Sequence, residues 1–444
     1  MSPASTDLTL PDDLDALAAG ESTEPPDDLT VACYTCPLWH PSALFADQYA
    51  PGWSEYVLMR GGRPWFPGHH QPRQPLLGEL DERDPGTWSV YNELAKAHGI
   101  DVFIWDFYWY DRQPALHEAL EDGFLRSQNR DGLQFAVMWT NHPWITLFPT
   151  VHPDGTRSFP HFRDAPDELH DVWQSMTYVI SRYFQQPNYW RIDGKPVLVI
   201  WDPVRLTRLF GVDGTRRLLD ELRAFAAKLG HGGIHLHHDC TMEVAMNPDA
   251  FEREIENVAD LGFDTYGLYN PIVLTASRRP AAEVIPSYGV VAADVVRDLW
   301  PTLDRLSPLP FWPAVSPGWD AAPRHNELPR SSRRDRNEWP GALVVADESP
   351  GAFESLVRAS FAALNARGGA PHVLTIGCWN EWTEGQYVLP DTRLGYGMLR
   401  ALARALGRPV SERFYASPAG DPWPGPSGHG PVLRPAEPGS RLAP

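Results

Sequence analysis

Glu381 and Glu384 stand three positions apart in the run Trp379-Asn380-Glu381-Trp382-Thr383-Glu384-Gly385. If the chain makes a helical turn there, both carboxyl groups project from one side and can reach one bound molecule. Paired carboxyls suit acetal cleavage. That reaction passes through an oxocarbenium-like state and needs one group to protonate the leaving oxygen and another to supply charge or act as base. Two like charges push one pKa upward, and Trp379 and Trp382 exclude water, so one glutamate can stay protonated near neutral pH. The same spacing also occurs on plain helix surfaces, with Glu381 capping a helix or paired to an arginine such as Arg393, and Glu384 in solvent. The apolar strand just before the pair, the flanking tryptophans and Gly385 argue for a reacting site.

Other side chains fall where they could contact a sugar. The chain carries 18 Trp, 15 Tyr and 18 Phe, and rings with an apolar face and a polar edge suit sugar stacking as well as core packing. Asp106, Tyr108 and Tyr110 end one apolar run, and Asn141 and Trp144 follow another. Asp202, Tyr269 and Trp319 lie just past three more, while Asn380 and Trp382 belong to the glutamate motif. His69 and His70 sit in a Pro- and Gly-rich loop, and contact substrate or simply order it. His235, His237, His238 and Asp239 raise the question of a metal. Strand alternation puts His235 and His237 on one face and His238 on the other. With no His-x-His on the first strand, His237 reads as a hydroxyl contact or a satisfied core group, and no metal is expected. Cys33 and Cys36 match Cys-x-x-Cys but lack a second pair at zinc-finger spacing.

These groups need a scaffold. Eight short apolar runs can be counted, at 31–36, 101–109, 134–139, 196–201, 233–238, 263–269, 311–316 and 372–379. Helical patterns at 85–98, 115–129, 168–184, 214–229, 248–261, 292–306 and 351–366 separate them, and one at 392–406 follows, with Asp391 as its N-cap. Eight strands alternating with helices predict a single (β/α)8 TIM-type barrel with long βα loops; an open doubly wound sheet is the alternative. Residues 30–415 form the barrel domain in this reading. Residues 1–29 form an acidic disordered arm, and 416–444 a Pro/Gly-rich disordered tail.

With 38 Lys plus Arg against 57 Asp plus Glu, the net charge of −19 opposes nucleic acid or an anionic bilayer surface. Four scattered cysteines predict no disulfide framework. The first residues lack a basic segment followed by an apolar one, and no apolar run reaches membrane-span length, so the expected location is cytoplasmic. No Gly-rich phosphate loop is present and no cofactor is expected.

The motif Asn380-Glu381-Trp382-Thr383-Glu384-Gly385 resembles the Asn-Glu-Trp-x-Glu-Gly signature of glycoside hydrolase family 99 and of the related WbsX-type proteins of surface-glycan biosynthesis. Stretches 74–84 (QPLLGELDERD), 99–110 (GIDVFIWDFYWY), 189–201 (YWRIDGKPVLVIW) and 261–269 (LGFDTYGLY) are similar to the same group, in the same order. The resemblance implies a (β/α)8 barrel acting on α-mannosides with retention, through participation of the sugar's own 2-hydroxyl. Glu381 is then the base on that hydroxyl, whose oxygen attacks C1 to give a 1,2-anhydro sugar, and Glu384 is the acid/base. The expected partner is a carbohydrate. Hydrolysis or transglycosylation, WbsX-type glycosyl transfer or glycan assembly, and a non-catalytic glycan-binding barrel remain the open readings. The sequence departs from its relatives in 31–40 (VACYTCPLWH) and 138–144 (MWTNHPW), positions that border the substrate.

Overall fold

A computed structural model describes residues 12–19, 23–145, 150–151, 157–158, 161–240, 260–279, 285–306, 309–325, 343–367, 371–410, 412 and 415. The barrel strands are β1 (Thr30–Thr35), β2 (Val102–Tyr110), β3 (Gln134–Trp139), β4 (Lys195–Ile200), β5 (His235–Cys240), β6 (Thr265–Leu268), β7 and β8 (Val373–Ile376). Strand β7 consists of two dipeptides, Phe311–Trp312 and Ala314–Val315, either side of Pro313. Proline has no N–H to give a ladder. The halves still serve both neighbours: Phe311–Trp312 pairs in parallel with β6, and Ala314–Val315 with β8. Strand β8 in turn pairs with β1, Thr30 opposite Val373. All eight strands are parallel and the sheet closes on itself. Such strands are apolar on both sides, inward to the filled barrel and outward to the helices. Val31 to Tyr34, Val102 to Trp105 and Val197 to Ile200 are accordingly fully buried.

Helices Pro85–Ala97, Leu169–Arg182 and Pro350–Arg367 occupy the expected places, while the helix expected at 214–229 is the second part of Pro203–Lys228, which kinks at Gly211 with φ +70° and so starts earlier than expected. Three further expectations change. The segment 115–129 forms no α-helix but a wide turn at Ala119–Gly123 followed by a 3-10 turn at Phe124–Arg126. Gly123 closes the wide turn against the neighbouring segment, where a Cβ would lie 2.1 Å from the Glu82 carbonyl oxygen and 2.5 Å from the Trp88 ring. The last helix begins only at Gly397, and Asp391 instead accepts the N–H groups of Arg393 and Leu394 in the turn before it. The acidic arm is not without structure throughout. Its helix Asp12–Ala18 buries Leu14, and Asp15 accepts a hydrogen bond from Ser355. The expected helix at 248–261 falls almost wholly outside the described residues, as does the tail 416–444.

Strand β2 is the longest, at nine residues, and it overshoots the barrel rim. It folds back as a hairpin onto Gln113–Ala115 and thereby stands Tyr108 and Tyr110 over the mouth. No helix among the described residues is long and apolar enough to cross a membrane.

Candidate active site

Beyond β8 the chain forms a short ribbon, Asn380–Glu381 against Gln386–Tyr387, whose connection is the 3-10 turn Trp382–Glu384. A 3-10 turn repeats every three residues, so Glu381 and Glu384 face the same way. Gly385 ends the turn in the left-handed region at φ +64°, where a Cβ would meet Asp320 at 2.7 Å. Asn380 fixes the start of the ribbon. Its Oδ1 accepts the Cys36 N–H at 2.9 Å, and its Nδ2 donates at 2.8 Å to the Cys36 carbonyl and to Glu82.

Both glutamates are buried and converge on one guanidinium. Arg324 comes from the 3-10 turn Ala322–His325. Its Nη1 donates to Glu384, and its Nη2 lies 3.1 Å from Glu381 Oε1 and 3.2 Å from Glu55 Oε2. Glu55 precedes the helix Tyr56–Gly61 in the long loop after β1. The Thr383 hydroxyl lies 2.5 Å from Glu55 Oε2 and 3.0 Å from Glu381 Oε1. Burial pushes Glu381 up to about 8, with Glu55 and Glu384 adding to the rise against the pull of Arg324. Burial also takes Glu384 to about 7, with Glu55 and Asp106 in support and Arg324 opposed. Two of these carboxyls can therefore hold protons near neutral pH.

The pair opens on a cavity of about 110 Å³ whose walls come from the C-terminal ends of the strands, among them Cys36, Asp106, Thr140, Trp201 and Tyr269. This is the end at which (β/α)8 barrels carry reacting groups. Asp106 is raised to about 7 by enclosure and the nearby Glu381, while Tyr108 and Cys36 donate to its Oδ2 at 3.1 and 3.5 Å. Trp144 packs edge-on against Tyr108, ring centres 5.3 Å apart. Of the residues singled out in the sequence, Glu381, Glu384, Asp106, Tyr108, Trp144 and Tyr269 line this cavity.

The others are engaged elsewhere. Tyr110 stacks beside Tyr108 and donates to the His142 carbonyl. Asn141 is clasped to the Asp202 backbone in both directions, and the Asp202 side chain caps the helix Pro203–Lys228. His237 lies inside the barrel, stacked on Trp312 at 3.9 Å and bonded to Thr265, which His235 shares. Trp319 is buried in a ribbon with Val345. Trp382 packs on Tyr387, 4.0 Å between ring centres. His69 accepts the Trp65 N–H at Nδ1, leaving Nε2–H for Asp320 at 3.0 Å; His70 is half-buried in the same loop. Asp320, also bonded by Gln71 and Arg73, stays well below the usual carboxylate range despite its burial. Arg393 pairs with Glu348, not with Glu381. Glu55 and Arg324 are the residues that sequence reasoning missed. Neither lies in a motif, and only the folded chain brings them to Glu381.

A closed barrel with a buried glutamate pair at the mouth beside β8 defines a class of carbohydrate-active proteins. The family described as Glycosyltransferase WbsX matches residues 30–402, and the chain belongs to it. Two proteins named "Uncharacterized protein WxcX", from two strains of Xanthomonas campestris pv. campestris, are 26% and 27% identical over 392 and 390 residues. These matches cover 85% of the chain but 50% of each relative, so the chain spans about half their length. Among solved structures, the fold matches a family 99 endo-α-mannosidase from Bacteroides thetaiotaomicron with a TM-score of 0.52 at 13% identity, covering 86% of this chain and 96% of that one. A "Glycoside hydrolase-like protein" matches with a TM-score of 0.50 at 13% identity, covering 86% and 95%. At such identities the likeness concerns the fold, and it agrees with the (β/α)8 barrel read from the sequence.

Proposed function

We propose that the chain is a retaining glycoside hydrolase or transglycosidase that acts on an α-mannoside-like unit, with Glu381 and Glu384 as its reacting groups. The observation that carries this reading is the meeting of both signature glutamates at one buried guanidinium in the cavity. In the free site Glu381 holds the pair's proton more tightly than Glu384. On sugar binding that proton passes to Glu384, and the ionised Glu381 takes the proton of the sugar 2-hydroxyl as O2 attacks C1 from the face opposite the leaving group. Protonated Glu384 gives its proton to the departing oxygen as the C1–O bond breaks. The 1,2-anhydro sugar then opens when Glu384, now a carboxylate, takes a proton from the incoming hydroxyl while Glu381 returns its own to O2. Two inversions at C1 give retention. An α-manno unit satisfies the geometry because its groups at C1 and C2 are trans.

The family's description as a glycosyltransferase favours transfer, with a sugar hydroxyl in place of water at the second step. A nucleotide-sugar donor fits the described part of this cavity poorly: among the described residues Arg324 is its one lining arginine or lysine, and three glutamates already hold it. Asp106 and Tyr108, with Trp144 and Tyr269, are proposed to contact the bound sugar. Glu384→Gln should cut turnover of an α-mannoside with a poor leaving group by about 10²–10⁴-fold and spare much of the rate on an activated aryl mannoside. Product anomers followed by NMR should show retention. Full activity in Glu381→Ala and Glu384→Ala would end this reading, and a requirement for a nucleotide sugar would replace it.

A further inference from the structure

Three buried carboxylates surround Arg324, and the guanidinium divides between them. One nitrogen serves Glu384, and the other serves Glu381 and both oxygens of Glu55. Glu55 is 1% exposed and Arg324 7%, so solvent does little to screen them. We propose that Arg324, anchored by Glu55, which Thr383 in turn holds, is a positioning residue that keeps the glutamate pair in a one-proton state, one carboxyl ionised and its neighbour protonated. The inference rests on Glu381 and Glu384 being the reacting pair.

The charge balance carries the argument. Three ionised glutamates around one arginine would leave two uncompensated negative charges in a desolvated site, which is strongly unfavourable. Without Arg324 the pair would hold both protons, and no base would remain. Without Glu55 the full guanidinium charge would fall on the pair, both members would ionise, and no acid would remain. The other titratable groups that face the pair add no fixed cation: Asp106, Cys36, Tyr108 and Tyr269 on the cavity wall, and Glu82 and Cys378 behind Asn380. Among the described residues, His142 is the one lining group besides Arg324 able to carry positive charge. Thr383 has one hydroxyl proton for Glu55 and Glu381, which ties the anchor to the base.

The test uses Arg324→Gln, Arg324→Lys, Glu55→Gln and the double variant R324Q/E55Q. Two quantities are read: the carboxyl titration of the free protein by infrared difference spectroscopy, and the pH profile of kcat/KM. Arg324→Gln should move the titration and the acidic limb alkaline by about one pH unit or more, and Glu55→Gln should move them acidic. The double variant should return both towards the parent while kcat stays low, because the pair has lost its alignment. Arg324→Lys should keep the pH position but lower kcat, since an ammonium cannot fork between carboxylates. Arg324→Gln and Glu55→Gln shifting in the same direction, or a fall in kcat without a shift in either of these two variants, would overturn the proposal. If Arg324→Gln does not fold, as its melting temperature would reveal, an unmoved titration in Glu55→Gln overturns it equally. The infrared titration needs no substrate. A titration that shifts as stated in a protein whose Glu381 and Glu384 prove dispensable would therefore fault the assignment of the reaction and not the charge balance.

Discussion

Asn380 uses its whole amide on the surroundings of Glu381, meeting the N–H and C=O of Cys36 and one oxygen of Glu82. Asn380→Ala would leave two buried backbone groups of Cys36 without these partners, at about 1–3 kcal/mol. Calorimetry should show a lower melting temperature, and turnover should fall even though no reacting group is lost; an unchanged melting temperature would show that water replaces the amide. The glutamate pair was legible in the sequence because three-residue spacing after an apolar strand is a local pattern. Asp106, Tyr108 and Tyr269 were legible because strand ends converge in a barrel. Glu55 and Arg324 were not, since 269 residues separate them and neither spacing nor composition marks an ion pair of that range. Asp202 and Asn141 also sit at strand ends, yet they meet each other and cap a helix, a choice set by side-chain direction that the sequence does not display.

At the scale of elements, most of the eight strands were readable because parallel barrel strands are continuous apolar runs; β5, with His235, His237, His238 and Asp239, is the polar exception. The break of β7 at Pro313 still leaves a dipeptide on each side for its neighbour. The 115–129 segment was misread because its periodicity is helical while Gly123 is pressed against Glu82 and Trp88, a contact between distant segments. Gly385 has a similar constraint with a functional outcome. Its positive φ and its closeness to the Asp320 backbone set the height of the turn that carries Glu384. Gly385→Ala should therefore destabilise the fold by roughly 1–3 kcal/mol and lower kcat more than it raises KM, as steady-state kinetics and a melting curve can establish. Unchanged kinetics would mean that the turn relaxes without moving the glutamate.

For the whole molecule, the raised carboxyls make stability depend on pH in a definite direction. Unfolded Asp and Glu lose their protons near pH 4, whereas folded Asp106 and Glu384 keep theirs to about 7 and Glu381 to about 8. The folded state thus binds more protons over that span, and the contribution of these groups falls as pH rises from about 4 to 8. Glu384→Gln should melt higher than the parent at pH 8 and close to it at pH 4.5; scanning calorimetry that found the parent more stable at pH 8 would contradict the raised values. The seam of the barrel adds a constraint of another kind. Glu381 stands past β8, β8 pairs with β1, and Asn380 clasps a residue 344 positions earlier in the chain. A growing polypeptide meets that partner only once nearly all of the barrel has left the ribosome. Until then the turn that carries Glu381 and Glu384 lacks its partner at Cys36, so the cavity used in the proposed reaction is completed only with the final strand.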